Sequence, residues 1–507
     1  MKLFLIGMPG AGKSFLGSAL SEILNIPHVD TDNMIEKRCG RSVQEMFSKD
    51  GEPHFRHLER EALLKCVEME GDMICSTGGG IIENAENRTL LKKTHTIYLK
   101  KTIDELLNNL NNDSDKRPLL TGNRQEKLVN LFHKRKEHFE LFPSISFNEQ
   151  DIEFRQLPGI LYDISDQTGF GKEKEMKTLK GLHPVIISPF MAKRLISDSA
   201  QIITSKTVHS IYSLFFQNND CLILPDGEEA KSYENLNKTW DFLIQKAITR
   251  EETITGFGGG TITDITGFAC STFKRGTGFN FVPTTLLSQV DASLGGKNAI
   301  NVEGVKNVCG TFAFPKSVYI DPLIVFSTEK CEIENGLVEG LKAALLVNKD
   351  VDILQSQLRL AEAIDEKPQL TTMSQFIEKA IRDKMAIVNI DPYEKSQRKF
   401  LNLGHTYGHV YEATYKIAHG KAVALGLLKM LKGKKDPIIN DYCDFFDRIT
   451  KKQRNTLNKS WDKSMQQRLL NDKKNTKDEI VFIDLEKPGK PFQRIVKKSN
   501  LHEKTLS

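Results

Sequence analysis

Several things are scarce in this sequence, and each scarcity removes a class of protein. None of the eight cysteines (Cys39, Cys66, Cys75, Cys221, Cys270, Cys309, Cys331 and Cys443) forms a Cys-x-x-Cys pair. A chain of 507 residues has no need of disulfides, so reduced thiols in a cytoplasm are expected. No apolar run approaches the length of a membrane span. Charge of one sign is scarce too: 71 basic against 66 acidic residues leave a net +5, too little to argue for nucleic acid. No internal repeat is visible. The expected partners are therefore small molecules, with neither nucleic acid nor membrane among them.

What is present is ordinary for a globular protein, with 39% hydrophobic and 27% charged residues, too apolar for disorder. At roughly 150 residues per domain, the length suggests about three domains. The apolar run of residues 2–6 (KLFLI) resembles the core of a short signal peptide, but a glycine-rich loop follows at once, so it reads as a buried strand. A helical pattern runs from Lys13 to about Leu24, and short apolar runs recur at Met73–Cys75 and Thr96–Leu99. Strands alternating with helices predict a parallel sheet with crossover helices.

Residues 166–183 are polar, charged and glycine-containing, and read as a linker; Met176 inside it resembles the vestige of a separate start. A second alternation begins near Pro184 with VIIS, QIITS and CLILP, and from about Glu334 the pattern turns mainly helical. The expected domains are 1–165, 184–333 and 334–507. The last twenty residues read as a solvated basic tail.

Gly7-Met-Pro-Gly10-Ala11-Gly12-Lys13-Ser14 matches the phosphate loop GxxxxGK[ST]. The glycines let backbone N–H groups turn inward around phosphate oxygens, Lys13 reaches the outer phosphates, and Ser14 ligates Mg2+. Asp30-Thr31-Asp32 places two carboxylates two apart at the end of a predicted strand, where they would point the same way. An isolated pair of this kind is ordinarily a turn or a helix cap.

The order of GMPGAGKS, DTD, GEPHFRHLERE (51–61), STGGG (76–80), KRPLL (116–120) and KRKEHF (134–139) resembles shikimate kinase over about residues 1–160. The resemblance implies ATP on Gly10, Ala11, Gly12, Lys13 and Ser14, with Asp30 helping to organise Mg2+. It puts Asp32 on the hydroxyl that is phosphorylated. Arg56 grips the substrate carboxylate, and Glu59 supports its helix. The backbone of Gly78, Gly79 and Gly80 comes close to substrate. Arg117 belongs to a lid that neutralises the transferring phosphoryl group, and Arg135 is a second carboxylate-binding arginine. Where the family usually has Tyr, four residues on, this chain has Phe139, which loses a hydroxyl and leaves the catalytic set intact. These residue types suit phosphoryl transfer, which needs positioning and charge stabilisation, and two arginines match a carboxylate bidentately.

In the second half, Gly258, Gly259 and Gly260 follow an apolar stretch and precede a predicted helix, a turn that lets phosphate approach but not the GxGxxG of an ordinary dinucleotide fingerprint. The strings TGFGGGTITDITGF, KRG, VPTTLLSQVDASLGGKNAIN and VKN resemble 3-dehydroquinate synthase, over about residues 184–485. That resemblance implies NAD contacts at Glu228, Lys231, Gly259, Gly260, Asp264, Thr284 and Thr285. Asp291, Lys297, Lys306 and Asn307 then line the junction of cofactor and substrate, and Arg275 reaches the substrate phosphate. One departure stands out: the family commonly has an acidic residue in the segment IITSKTV, where this chain has Ser205, with Thr207 nearby.

Spacing alone pairs His405 and His409, at i and i+4 of a helix, as joint metal ligands. The resemblance implies another set, Glu339, His405 and His419 on zinc or cobalt, with His409 in proton transfer and phosphate contact. Three ligands leave positions open for substrate oxygens, as a catalytic zinc requires. Lys342, Lys384, Arg398 and Asn402 match the family's anion clamp, the order Lys384, Asp391, Glu394, Arg398 is kept, and Lys474 or its neighbour Lys473 adds a phosphate contact. Catalysis would then fall to Lys13, Asp32 and Arg117 in the first half, and to Lys297 and His409 in the second.

The expected fold class is α/β: a P-loop kinase parallel sheet with helices on both faces, then an α/β dinucleotide-binding domain, then a mainly helical metal-binding domain. The two resemblances imply phosphorylation of shikimate by ATP, NAD- and metal-dependent conversion of 3-deoxy-D-arabino-heptulosonate 7-phosphate to 3-dehydroquinate and phosphate, and pairing of two copies through the synthase half. Two other readings fit the residues: both folds with other substrates (another hydroxy acid such as gluconate, another sugar phosphate cyclisation), or one half acting as a silent module.

Overall fold

Five short segments build the first sheet: β1 (Lys2–Ile6), β2 (His28–Asp30), β3 (Met73–Ser76), β4 (His95–Leu99) and β5 (Ser144–Ile145). A computed structural model describes residues 1–112, 124–147, 153–172, 176–217, 219–453, 463–470 and 478–498 of the chain. The order is β2-β3-β1-β4-β5 and every pairing is parallel. Parallel strands need crossovers. Here they are helices, beginning with Lys13–Leu24, which matches the predicted span, and including Val43–Glu68. Leu3 to Ile6 are fully buried, so β1 reads as a continuous apolar run because both its faces are covered.

The chain divides into two units, Met1–Lys174 and Glu175–Ser507. The predicted linker differs from the structure at both ends. Residues 166–168 finish the Leu157–Thr168 helix, stopped by Gly169 in the left-handed conformation (φ +79°), and Lys177–Leu179 form β6.

The second unit opens on a seven-stranded sheet. With β7 (Val185–Ile187), β8 (Gln201–Ser205), β9 (Asp220–Leu224), β10 (Thr253–Gly258), β11 (Gly278–Pro283) and β14 (Ser317–Ile320), its order is β6-β7-β14-β11-β10-β8-β9. Only β6 runs antiparallel, against β7. The hairpin of β12 (Lys297–Val302) and β13 (Val305–Phe312) stands apart from that sheet. The connection from β8 leads to the sheet edge at β9, whereas β10 leads the other way to β11. A crevice at such a reversal is where open α/β sheets bind ligands.

A helical layer follows: Lys330–Val347, Val351–Glu366, Leu370–Val388, His405–Tyr415, His419–Leu431 and Pro437–Ile449. The first is buried almost throughout from Asn335 to Leu346, with other helices around it. The expected mainly helical layer also carries a hairpin near the C-terminus: Glu479–Leu485 pairs antiparallel with Pro491–Lys497, so the expected tail is partly a strand. Its alternation is one-sided: Ile480, Phe482 and Leu485 are buried beneath an exposed outer strand. Among the described residues no helix is long and apolar enough to cross a membrane.

His183 lies just before β7, 2% exposed, its ring stacked on Phe314, and neither ring nitrogen has a hydrogen-bond partner. Burial, with Lys384 nearby, pushes its pKa from 6.5 down to about 4. The folded unit therefore keeps this ring neutral while the unfolded chain protonates it below 6.5. Stability from this group is full above that pH and is lost as pH falls toward 4. Between pH 7 and pH 5 the second unit is expected to lose about 2 kcal/mol from His183. Trp240 lies in that unit, and residues 1–174 contain no tryptophan. Fluorescence-detected urea midpoints at the two pH values should therefore show a larger drop for the natural protein than for His183→Phe.

Candidate active sites

The phosphate loop connects β1 to the Lys13–Leu24 helix. Gly10 and Gly12 hold φ of +80° and +82°, and a Cβ on Gly10 would stand 2.9 Å from Leu110, so both positions require glycine. Lys13 is folded over the loop, its Nζ donating to the carbonyls of Gly7 and Met8 at 3.0 Å each. Ser14 Oγ donates to Asp30 Oδ2 at 2.8 Å. The helix begins here with unsatisfied N–H groups, the arrangement that accepts phosphate.

The strand reading of Asp30 and Asp32 needs correction. β2 ends at Asp30, which caps the Thr31–Cys39 helix by accepting from the N–H groups of Asp32 (3.0 Å) and Asn33 (3.2 Å). Asp32 is the second residue of that helix. Asp30 thus faces the loop serine while Asp32 turns toward the glycine triplet, and the two carboxylates divide rather than align. Thr31 Oγ1 accepts from Gly78 N at 3.0 Å and ties the turn to that triplet. A Cβ on Gly78 would lie 2.7 Å from Asp32 Oδ1 and 2.5 Å from Glu59 Oε1, and one on Gly80 would overlap the Arg56 guanidinium. Gly79 packs on Pro9 of the loop. The triplet is glycine because four side chains (Asp32, Glu59, Pro9 and Arg56) converge on it.

Arg56 donates to Glu59 Oε2 at 2.8 Å and, through Nε and Nη2, to Glu52 Oε1 at 3.2 and 2.9 Å. Glu59 is 1% exposed; burial raises its pKa against the pull of Arg56. Arg135, equally buried, donates to Glu83 Oε1, at 2.7 Å from Nε. Phe139 is fully buried and stacks on Tyr98 with ring centroids 4.8 Å apart, so an apolar ring suits the position. Arg117, Lys473 and Lys474 lie outside the described residues.

In the second unit, β10 ends in Gly258, Gly259 caps the Gly260–Thr272 helix, and Thr284 N donates to the Gly258 carbonyl at 3.0 Å. Thr285 lies against Gly259, where a Cβ would stand 3.3 Å from its methyl. Lys231 Nζ bridges Asp264 Oδ2, at 2.6 Å, and Asn307. Burial lifts Asp264 to about 6, with Lys231 opposing. Asn301 donates to Glu228 at 2.6 Å and accepts from the Asn307 N–H. Ser205 caps the short Lys206–Ile211 helix. A carboxylate is nevertheless present beside it: Asp226, at the end of β9, accepts from Thr207 N at 3.0 Å. Burial would raise Asp226, but hydrogen bonds from Thr207 and Ser205 bring its pKa below the usual carboxylate range.

The metal-type cluster is Glu339, His405 and His419, whose ligand atoms all lie within 4.8 Å of one another. His405 Nε2 and His419 Nε2 stand 3.6 and 3.7 Å from Glu339 Oε1, a buried oxygen with no hydrogen bond. Ligand atoms around one tetrahedral zinc stand about 3.4 Å apart, so an orphaned carboxylate oxygen and two imidazole nitrogens fit that ion. The other nitrogens are already engaged: His405 Nδ1 with the Leu403 carbonyl (3.3 Å) and His419 Nδ1 with Glu412 Oε2 (2.9 Å). This leaves each Nε2 lone pair facing the cluster. The pairing of His405 with His409 from spacing alone fails. Their rings are edge-on with centroids 5.5 Å apart, and His409 is not in the cluster.

Cations surround the cluster, several held by an anion of this chain. Lys342 is paired with Glu339, Lys384 with Asp291 at 2.7 Å, Lys297 with Glu394 at 2.5 Å and Lys306 with Glu412 at 2.7 Å. Asp291 is driven down to about 2: burial would raise it, but Lys384 and Lys342 dominate. Asn402 donates to Glu394 at 3.2 Å. Arg398, 2% exposed, donates to the Gly295 carbonyl at 2.8 Å. Asp391 organises the loop before Arg398 by accepting three backbone N–H groups. Arg275 stands apart, exposed with φ +63°, and forms no ion pair among the described residues.

Sequence reasoning missed Glu412, although His405, His409 and Glu412 share one helix at i, i+4 and i+7, a spacing that marks a common face. Glu412 is held down to about 2 because hydrogen bonds from His419 and Lys306 outweigh its burial. Glu412→Gln is expected to weaken zinc binding about 10- to 100-fold, as loss of a partner to a ligating histidine does. Competition with a chromogenic chelator would measure it.

Comparison with known proteins bears on both sites. The shikimate kinase family model matches residues 9–156, and the N-terminal and C-terminal models of 3-dehydroquinate synthase match 221–335 and 336–475. The bifunctional shikimate kinase/3-dehydroquinate synthase of Thermotoga maritima is 39% identical over 429 residues, 85% of this chain and 84% of that protein. Two solved structures share the fold of the second unit. One is 2-deoxy-scyllo-inosose synthase complexed with carbaglucose-6-phosphate, NAD+ and Co2+ (23% identity, TM-score 0.54, 64% of this chain and 97% of that one). The other is 2-epi-5-epi-valiolone synthase from Streptomyces hygroscopicus with NAD+ and Zn2+ bound (21%, 0.51, 65% and 96%).

Proposed function

The chain belongs to the family of bifunctional shikimate kinase/3-dehydroquinate synthases and carries both enzymes, and from that premise we propose the substrates and the roles of its residues. The first unit transfers phosphate from ATP to shikimate. The second converts 3-deoxy-D-arabino-heptulosonate 7-phosphate to 3-dehydroquinate and phosphate, with NAD and zinc or cobalt. Both reactions use small soluble metabolites and cofactors, which suits a cytoplasmic enzyme.

In the kinase, the Gly10–Gly12 N–H groups and Lys13 hold the triphosphate, while Ser14 and Asp30 hold the Mg2+ that accompanies it. Asp32 takes up the acceptor hydroxyl and its proton, and Arg56 and Arg135 orient the substrate through its carboxylate. The transfer is then a matter of alignment and charge stabilisation.

In the synthase, Glu339, His405 and His419 are the donor set for the metal. Glu228, Lys231, Asp264 and the Gly259–Gly260 turn would hold the dinucleotide, with Asp226 available to it beside Ser205. When bound, NAD supplies a reversible hydride acceptor and the metal an electrophile for substrate oxygens. Lys297, Lys342, Lys384 and Arg398 neutralise the carboxylate and phosphate of the substrate. His409, outside the donor set and edge-on to His405, would move a proton.

The observation that carries this reading is the Glu339–His405–His419 cluster with its orphaned oxygen in a chain that keeps Lys13 and Asp32. The test uses the full-length protein. ADP formation should require shikimate, and phosphate release from the heptulosonate phosphate should require both NAD and a divalent metal. Release without either addition, or none from metal-loaded protein, would sink the synthase assignment; ADP formation with gluconate in preference to shikimate would sink the kinase substrate.

A further inference from the structure

The two arginines assigned to the substrate carboxylate are not vacant. Glu83 sits on the single 3-10 turn (Ile81–Glu83) that follows the glycine triplet. Its Oε1 accepts from Arg135 Nε at 2.7 Å and from Nη2 as well, and stands 3.6 Å from Arg56 Nη2. Its Oε2 accepts from Lys134 Nζ at 2.6 Å. One side-chain carboxylate thus lies between the two guanidinium groups, with its oxygens divided among three cations. Glu83 is 18% exposed, and Arg135 1%.

The local charge count makes this consequential. Arg56, Arg135 and Lys134 face Glu52, Glu59 and Glu83, so the cluster is already neutral before any ligand arrives. A further carboxylate would enter with like charges close by, unless one of the resident acids withdraws. Glu59 cannot, being enclosed beneath Gly78. Glu52 lies on the outer edge of Arg56 and does not touch Arg135. Glu83 is the acid shared by both arginines, on a short turn beside Gly80, and it is partly open to solvent.

We propose that Glu83 sets the affinity of the kinase for its acid substrate, as an internal carboxylate that occupies the Arg135–Arg56 pair and must be displaced by the carboxylate of the substrate. This rests on the proposal that the first unit phosphorylates shikimate through those arginines. Glu83 keeps Arg135 aligned and its charge balanced while the site waits. A ligand without a carboxylate does not displace it and is indifferent to its charge. The residue therefore raises KM for the acid without entering the chemistry.

Steady-state kinetics of the full-length protein at saturating ATP and Mg2+ test this with shikimate and its methyl ester. Glu83→Gln keeps an acceptor for Arg135 and removes the competing charge. Its KM for shikimate should fall about 10- to 30-fold, the lower part of what charge-assisted hydrogen bonds are worth, with kcat nearly unchanged and KM for the ester unmoved. Glu83→Asp, which draws the carboxylate back by one methylene, should shift KM the same way by less and serves if the glutamine variant folds poorly. A positioning role alone predicts the reverse, since weakening the hold on Arg135 would raise KM. Turnover of shikimate by the natural protein, with an unchanged or higher KM in both variants, overturns this inference alone. An equal fall for acid and ester also overturns it. No turnover of shikimate by the natural protein overturns the kinase reading and the inference with it.

Discussion

His419→Ala is expected to abolish phosphate release from the heptulosonate phosphate, by about 10³-fold or more, since a catalytic metal supplies several kcal/mol of charge stabilisation. His419 faces Glu339 Oε1 with one nitrogen and is anchored by Glu412 with the other. Its removal would leave two ligands, too few to retain the ion in competition with a chelator. Burial tends to lower the pKa of His419, but Glu412 and Glu339 raise it overall, so metal binding competes with protonation of this ring and should weaken as pH falls. The kinase belongs to the other unit, and its ADP formation should be unchanged in the same preparation. Chelation of the natural protein should reproduce the loss and zinc should reverse it, whereas zinc should not rescue the variant. Loss of both activities would mean that the substitution unfolds the chain rather than emptying a metal site.

The second large effect is expected in the first unit. Asp32→Asn preserves shape and removes charge at the residue beside Gly78 and Glu59. Shikimate turnover should fall about 10²- to 10⁴-fold, the range for losing a positioned proton acceptor. KM for ATP should hold, because Asp30 and Ser14 remain in contact at 2.8 Å and Lys13 is untouched. Asp30→Ala should differ in kind: it removes the link to Ser14 and the cap of the Thr31–Cys39 helix, so both nucleotide binding and stability should fall, the latter by about 1 kcal/mol. Equal behaviour of the two variants would contradict the division of labour between the carboxylates. Phosphate release by the synthase is the internal control.

Why some residues were legible and others were not follows from distance along the chain. The phosphate loop could be read because its glycines, lysine and serine are contiguous, and the strand before it and helix after it complete the context. Asp30 and Asp32 were found but misplaced. Alternation on a strand was assumed, whereas the first aspartate ends the strand by capping the next helix. The metal set was visible as strings, yet helical spacing by itself selected the wrong histidine partner. Glu412, Asp226 and Glu83 went unread, because each acts through a contact to an element elsewhere in the sequence.

What the sequence determined by itself is the order of elements, the loop chemistry and the residue types of both sites, since periodicity, caps and glycine turns are local properties. Tertiary structure decided which groups meet. It joined Glu339 on one buried helix to His405 and His419 at the starts of two others. It brought Asp226, just beyond the neighbouring strand β9, to the Ser205 turn, and it set Glu83 against Arg135, 52 residues away. Such pairings depend on how helices pack and strands order. That is settled by burial of apolar surface over the whole unit, which no local pattern encodes.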